Sequence, residues 1–184
     1  NRSIHNEKTM INNLEKYSYF DLLEIETSPI IDLKVLEENY LNLQNKYHPD
    51  RFKDTKQKAT ANTISQEINK AFSTLKDELN RRIYLLSLSG INVVNEKSEI
   101  KTSEDVLQDV FNLRSKMEEA IDLSELEEFK SFVINSYNEM IKKFDECHFA
   151  DKQIDCSYPL ISAIFYHKLL NEINLRMSEV YANT

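Results

Sequence analysis

The sequence predicts an all-α fold in two helical units, and three observations predict it. Only one Gly and three Pro occur in 184 residues, so few positions favour turns or left-handed backbone over helix. Apolar residues recur at spacings of three, four and seven, which places them on one stripe of a helix, and they do so in run after run. A single conspicuous break, His48-Pro49-Asp50, separates the run Leu33, Leu36, Tyr40, Leu43, Tyr47 from the run Ile64, Ile68, Ala71, Phe72, Leu75.

Two striped helices joined by a short loop bury their stripes against each other, so these two runs predict an antiparallel pair with the loop projecting outward. Pro49 disfavours helical geometry at His48 and has no backbone N–H, so the tripeptide must end the first helix of the pair and shape the turn.

A His-Pro-Asp loop in this setting resembles a J domain. The flanks agree in order and spacing: Tyr19-Phe20-Asp21-Leu22-Leu23 matches the short first helix, Tyr47 to Phe52 the loop, and Ile68-Asn69-Lys70-Ala71-Phe72 the third helix. The fourth helix of the resemblance is Leu79 to Leu88. Within it, Arg81-Arg82-Ile83-Tyr84-Leu85-Leu86-Ser87-Leu88 is similar to a narrower group, the HscB or Jac-type co-chaperones of iron-sulfur cluster assembly. That resemblance runs from about Tyr17 to Val180.

Beyond the fourth helix, Gly90 supplies a break of the kind a helix C-terminus needs, and the polar stretch from Asn92 to Ser103 reads as a linker. Thr102 or Ser103 can cap the next helix, which carries Val106, Leu107, Val110, Phe111, Leu113, Met117 and Ala120, a wider stripe than a simple amphipathic helix requires. A further helix from about Ser124 to Cys147 shows Phe129, Val133, Tyr137, Met140 and Phe144. The last, from about Tyr158, shows Ile161, Ile164, Phe165, Leu169, Ile173 and Met177. Three striped helices make a bundle. The expected organisation is a tail over 1–16, a J domain over 17–89, a linker over 90–103 and a C-terminal three-helix bundle over 104–184.

Composition narrows the function classes. The scarcity of Gly removes Gly-rich phosphate loops as a route to nucleotide binding, so any ATP chemistry belongs to a partner. A net charge of −8 argues against a nucleic-acid partner, because phosphate contacts need clustered Lys and Arg. No apolar run approaches membrane-spanning length, which argues against a membrane role. Two thiols without an export signal fit a reducing compartment, bacterial cytoplasm or mitochondrial matrix.

The resemblance implies a co-chaperone rather than an enzyme, with no cofactor of its own. It implies two partners: a DnaK/HscA-type ATPase chaperone, stimulated through His48, Pro49 and Asp50 with Lys46 and Arg51 beside them, and an IscU-type iron-sulfur scaffold protein. For the scaffold the implied positions are Leu107, Phe111 and Phe165, with Glu119 as the acidic neighbour. Leu107 and Phe111 lie four apart and share a helix face, which suits either an exposed anchor or bundle core. Asn112 and Ser115 stand where the family commonly has carboxylates. The second helix departs too, offering Lys34 and Lys46 against Asp32, Glu37 and Glu38; Arg51, Lys53, Lys56 and Lys58 follow the loop as either a compensating docking patch or a solvated positive face. Two other readings remain: a J-domain protein with a different client, and a metal-dependent enzyme built on Cys147, His148, Cys156 and His167. Their spacing lacks the short cysteine pair of a zinc site, so no metal is expected.

Overall fold

A computed structural model describes residues 16–94, 104–120, 122–150 and 156–182, the side chains of 105 and 106 apart. The tail expected before Lys16, most of the expected linker and the caps expected at Thr102 or Ser103 lie outside the described residues. The chain divides into two compact units between Leu88 and Ser89.

The amino-terminal unit begins with α1 (Tyr19–Leu22), opened by a capping box in which Ser18 Oγ accepts from the Asp21 N–H at 3.1 Å while Asp21 Oδ2 accepts from the Ser18 N–H at 3.1 Å. Phe20, Leu22 and Leu23 turn inward. Glu24 then takes a left-handed φ of 54°, a conformation that side chains resist. Asn39 Nδ2 offsets it by donating to the Leu23 and Glu24 carbonyls at 2.9 and 3.3 Å.

Helix α2 (Leu33–Tyr47) starts on Asp32, whose Oδ1 accepts from the Lys34 N–H at 2.8 Å. Helix α3 (Thr55–Lys76) starts on Asp54, whose Oδ2 accepts from Lys56 and Gln57 N–H groups. Leu36, Leu43 and Tyr47 from α2 and Ala61, Ile64, Ile68, Ala71 and Leu75 from α3 are buried. Burial of each large aliphatic side chain contributes about 1.5–3 kcal/mol. Beside this apolar contact runs a polar seam. Asn69 Oδ1 accepts from Tyr40 Oη at 2.9 Å and Gln44 Nε2 at 2.8 Å, and Ser65 Oγ donates to Gln44 Oε1 at 2.7 Å. Tyr40 and Phe72 stack at 4.0 Å in the same seam.

Asp77 ends α3 and caps α4 (Glu78–Leu88), its Oδ1 accepting from Leu79 and Asn80 N–H groups at 3.0 and 2.7 Å. Two α4 residues tie the unit together. Arg81, only 6% exposed, donates to the Pro29 carbonyl from Nε at 2.9 Å and to the Leu75 carbonyl from a terminal nitrogen at 2.5 Å. It thereby joins the loop before α2 to the carboxyl end of α3, where a cation is favoured by the helix dipole. Tyr84 stacks on Tyr19 at 4.3 Å and accepts the Tyr19 N–H at 2.9 Å, which holds α1 in place. Burial pushes the Tyr84 phenol up, so the neutral form and its contribution persist through neutral pH and fade only in alkali above a tyrosine's ordinary range. Gly90, at φ 78°, follows α4.

The second unit contains α5 (Glu104–Glu119), α6 (Leu123–Phe149) and α7 (Ser157–Ala182), with α6 and α7 as a long hairpin and α5 against α7. Both hairpin helices begin one residue before their expected starts, α6 because Asp122 Oδ1 caps it through the Glu125 N–H at 3.0 Å. Helix α6 also runs on to Phe149, beyond the expected end at Cys147. Met117, Leu126, Val133, Leu169 and Ile173 make a core cluster. At the start of α7, Pro159, Leu160, Ile161, Ser162, Ala163 and Ile164 are all buried in succession. The single stripe expected there is therefore too narrow, because periodicity records one face and this turn and a half is covered on all sides.

Arg81→Ala is expected to lower stability by about 2–4 kcal/mol, since it strands two carbonyls and opens a cavity. Tyr47 is 1% exposed with its hydroxyl unbonded to protein, so Tyr47→Phe is expected to leave stability unchanged or raise it by up to about 1 kcal/mol. Urea midpoints of the full chain, followed by circular dichroism, check both.

Candidate functional site

The turn between α2 and α3 follows from Pro49. His48 takes φ −63°, ψ 126°, outside the helical region, and Pro49–Arg51 form one tight 3-10 turn. Backbone bonds from Arg51 N–H to the His48 carbonyl at 3.0 Å and from Phe52 N–H to the Pro49 carbonyl at 3.2 Å close it. His48 Nδ1 accepts from the Asp50 N–H at 3.3 Å, which places the neutral ring's proton on Nε2. Arg51 reaches back and donates to the Asn45 carbonyl at 2.8 Å, satisfying a group at the end of α2. Asn45 carries no signal in the sequence, because its part is played by its backbone.

Asp50 stands apart from these ties. Its side chain is 87% exposed, and its Oδ2 lies 3.6 Å from His48 Nδ1, a nitrogen already accepting the amide proton. The carboxylate is thus presented to solvent on a turn that does not use it, ready to accept charge-assisted hydrogen bonds from a cationic donor. Lys46 lies on the last turn of α2 with its ammonium 5.2 Å from the Tyr47 ring centroid. Lys53, Lys56 and Lys58 are exposed beyond the turn.

In the second unit, hydrogen bonds fix the register of α5 against α7. Arg114 clasps both Glu172 carboxylate oxygens at 2.6 and 3.1 Å, and Arg176 donates to the Glu118 and Ala120 carbonyls at 3.2 and 3.0 Å. The pairs 114 with 172 and 118 with 176 advance together, so the helices run parallel at an offset of 58. Glu172 accordingly holds the Arg114 guanidinium above its ordinary pKa. Burial, followed by the Asp109 carboxylate, raises the Tyr166 phenol.

That register puts Leu107 abreast of Phe165. Leu107 is 51% and Phe111 65% exposed, Phe165 is half-buried, and Val110 and Met117 turn inward. The wide α5 stripe therefore divides into an inner face and an outer one, and Leu107 and Phe111 belong to the outer. Glu119 ends α5, eight residues past Phe111 and rotated about 80° from it, whereas Glu118 at seven residues keeps the face.

The remaining candidates do not gather into one metal-binding group among the described residues. His167 faces the Tyr137 ring at 6.1 Å, while His148 stacks on Phe144 at 6.3 Å. Cys147 lines a groove at the end of α6 and Cys156 is buried. Among the described residues, no three His, Cys, Asp or Glu side chains gather to hold a metal. No described helix is long and apolar enough to cross a membrane.

The DnaJ domain family matches residues 18–84, which contain α1 to α3, the turn and Tyr84. The co-chaperone protein HscB of Proteus mirabilis is 31% identical over 138 residues, covering 69% of this chain and 79% of that protein. The iron-sulfur cluster co-chaperone protein HscB homolog of Arabidopsis thaliana is 29% identical over 161 residues, 86% of this chain and 63% of that one. Human co-chaperone protein HscB superposes with a TM-score of 0.78 at 25% identity, over 87% of this chain and 82% of the human one. These relatives carry the names of co-chaperones, not enzymes. With a presented His-Pro-Asp turn in one helical unit and a three-helix unit following it in the sequence, the chain belongs to the HscB family of J-domain co-chaperones.

Proposed function

We propose that the protein serves iron-sulfur cluster assembly by holding an IscU-type scaffold protein and delivering it to a DnaK/HscA-type ATPase, whose ATP hydrolysis it stimulates. One observation carries the reading: the Asp50 carboxylate is exposed on a turn whose own bonds leave it unused. Such a group is available to a partner at no cost to the fold, and its interactions strengthen when a docked surface excludes water. His48 and Pro49 shape the turn, Arg51 braces it against α2, and Lys46 with the lysines after the turn draws the chaperone electrostatically. The ATP chemistry is the partner's.

The scaffold-binding role falls to Leu107, Phe111 and Phe165. Two large apolar side chains exposed four residues apart, abreast of a third, form an anchor of the kind that concentrates binding energy. Glu119 lies at the rim, and Glu118 shares the face. The bacterial and plant sources of the named relatives support a bacterial cytoplasm or mitochondrial matrix as the setting.

Steady-state ATP hydrolysis by the cognate chaperone, with and without scaffold, tests both halves. Asp50→Ala is expected to abolish stimulation while leaving the melting temperature and scaffold affinity unchanged. The double variant Leu107→Ala, Phe111→Ala is expected to weaken scaffold affinity about tenfold or more, by calorimetry, while retaining scaffold-independent stimulation. Absence of stimulation by the unaltered chain sinks the chaperone half; scaffold affinity unchanged in the double variant sinks the assigned anchor.

A further inference from the structure

We propose that Cys147 and Cys156 are a redox pair that closes to an intrachain disulfide when the protein meets a peroxide. The inference is independent of the chaperone reading and rests on the junction between α6 and α7. Cys156 is 1% exposed at the start of α7, with its Sγ 4.0 Å from the Phe144 carbonyl of α6. Cys147 lies three residues after Phe144 on the same helix. A γ atom three residues past a helical carbonyl can rotate to that carbonyl, as Ser73 Oγ does to the Lys70 oxygen at 3.0 Å and Ser87 Oγ to the Tyr84 oxygen at 2.6 Å. Rotation of the Cys147 side chain therefore brings its sulfur toward the carbonyl that Cys156 Sγ already meets, the approach that a disulfide needs.

A second observation places Cys147 toward α7. It lines an open groove of about 330 Å³ with Lys143, Glu146, Ala150, Tyr158 and Pro159, the last two only two and three residues past Cys156. The groove admits a small oxidant to the half-buried Cys147, while Cys156 waits behind it as the resolving thiol.

The chemistry balances in two steps. The Cys147 thiolate attacks one peroxide oxygen, the O–O bond breaks, and a sulfenic acid forms as hydroxide leaves and is protonated to water. The Cys156 thiol then attacks the Cys147 sulfur; the S–S bond forms, the S–O bond breaks, and a second water departs. Two thiols are oxidised, and one hydrogen peroxide is reduced to two waters. The product ties the last turn of α6 to the first residue before α7.

Hydrogen peroxide applied to the full-length reduced chain, followed by alkylation under denaturing conditions and peptide mass spectrometry, tests the pair. The expected product is a monomer that has lost two hydrogens, takes up no alkylating agent, yields a linked Cys147–Cys156 peptide and reverts with dithiothreitol. Its melting temperature is expected to rise above that of the reduced chain, and Cys147→Ser is expected to remove both effects. The proposal is overturned if Cys147 proceeds to sulfinic acid while Cys156 still alkylates, or if disulfides form only between chains.

Discussion

Pro49 denies His48 a helical backbone, and the first unit is organised around that refusal. Because α2 must stop at Tyr47, the chain reverses within one tight turn and α3 returns along α2. The reversal brings Leu36, Leu43 and Tyr47 onto Ile64, Ile68 and Leu75. It also aligns Tyr40 and Gln44 with Ser65 and Asn69, so the seam of hydrogen bonds depends on the same stop. The turn is held by backbone bonds, the His48 ring and the Arg51 brace, none of which consumes the Asp50 carboxylate. Rigidity and availability thus come from different atoms, which is what a presenting loop requires.

Helix α4 supplies the second constraint. α1 is too short to be stable alone, since a single turn fixes several dihedrals for one hydrogen bond. Its place depends on the capping box and on Tyr84, which stacks on Tyr19 and accepts its N–H. Arg81 does the corresponding work for the loop before α2. A buried guanidinium is costly unless its donors are satisfied, and its bonds to Pro29 and Leu75 bind the loop before α2 to the end of α3. The run around Arg81 and Tyr84 that sets this chain beside the HscB group in sequence therefore has a structural task.

In the second unit, Arg114 and Arg176 convert an apolar contact into a defined register. Apolar packing alone tolerates sliding, whereas a two-oxygen clasp on Glu172 and a guanidinium over the last carbonyls of α5 do not. With the offset set, Leu107 stands beside Phe165, and α5 has satisfied its core face through Val110, Leu113 and Met117. The surplus apolar width of α5 is left outside.

Helical periodicity made α2, α3, α5, α6 and α7 legible, and Pro49 located the turn, because both effects are local to the backbone and its next few residues. The caps at Asp32, Asp54 and Asp122 are also local, but apolar periodicity does not mark them, and the expected start of α6 at Ser124 missed the last of them. Tyr40, Gln44, Ser65 and Asn69 left a faint trace in two polar pairs with equal four-residue spacing, but nothing in one helix says which partner faces it. The roles of Arg81, Tyr84, Arg114 and Arg176 were closed to sequence reasoning, since their acceptors lie on other segments and several are backbone carbonyls with no residue signature. The choice for Leu107 and Phe111 between core and surface belonged to tertiary structure as well: an apolar stripe states that a face seeks cover, and only the register of α5 on α7 decides which part of it finds cover within the chain.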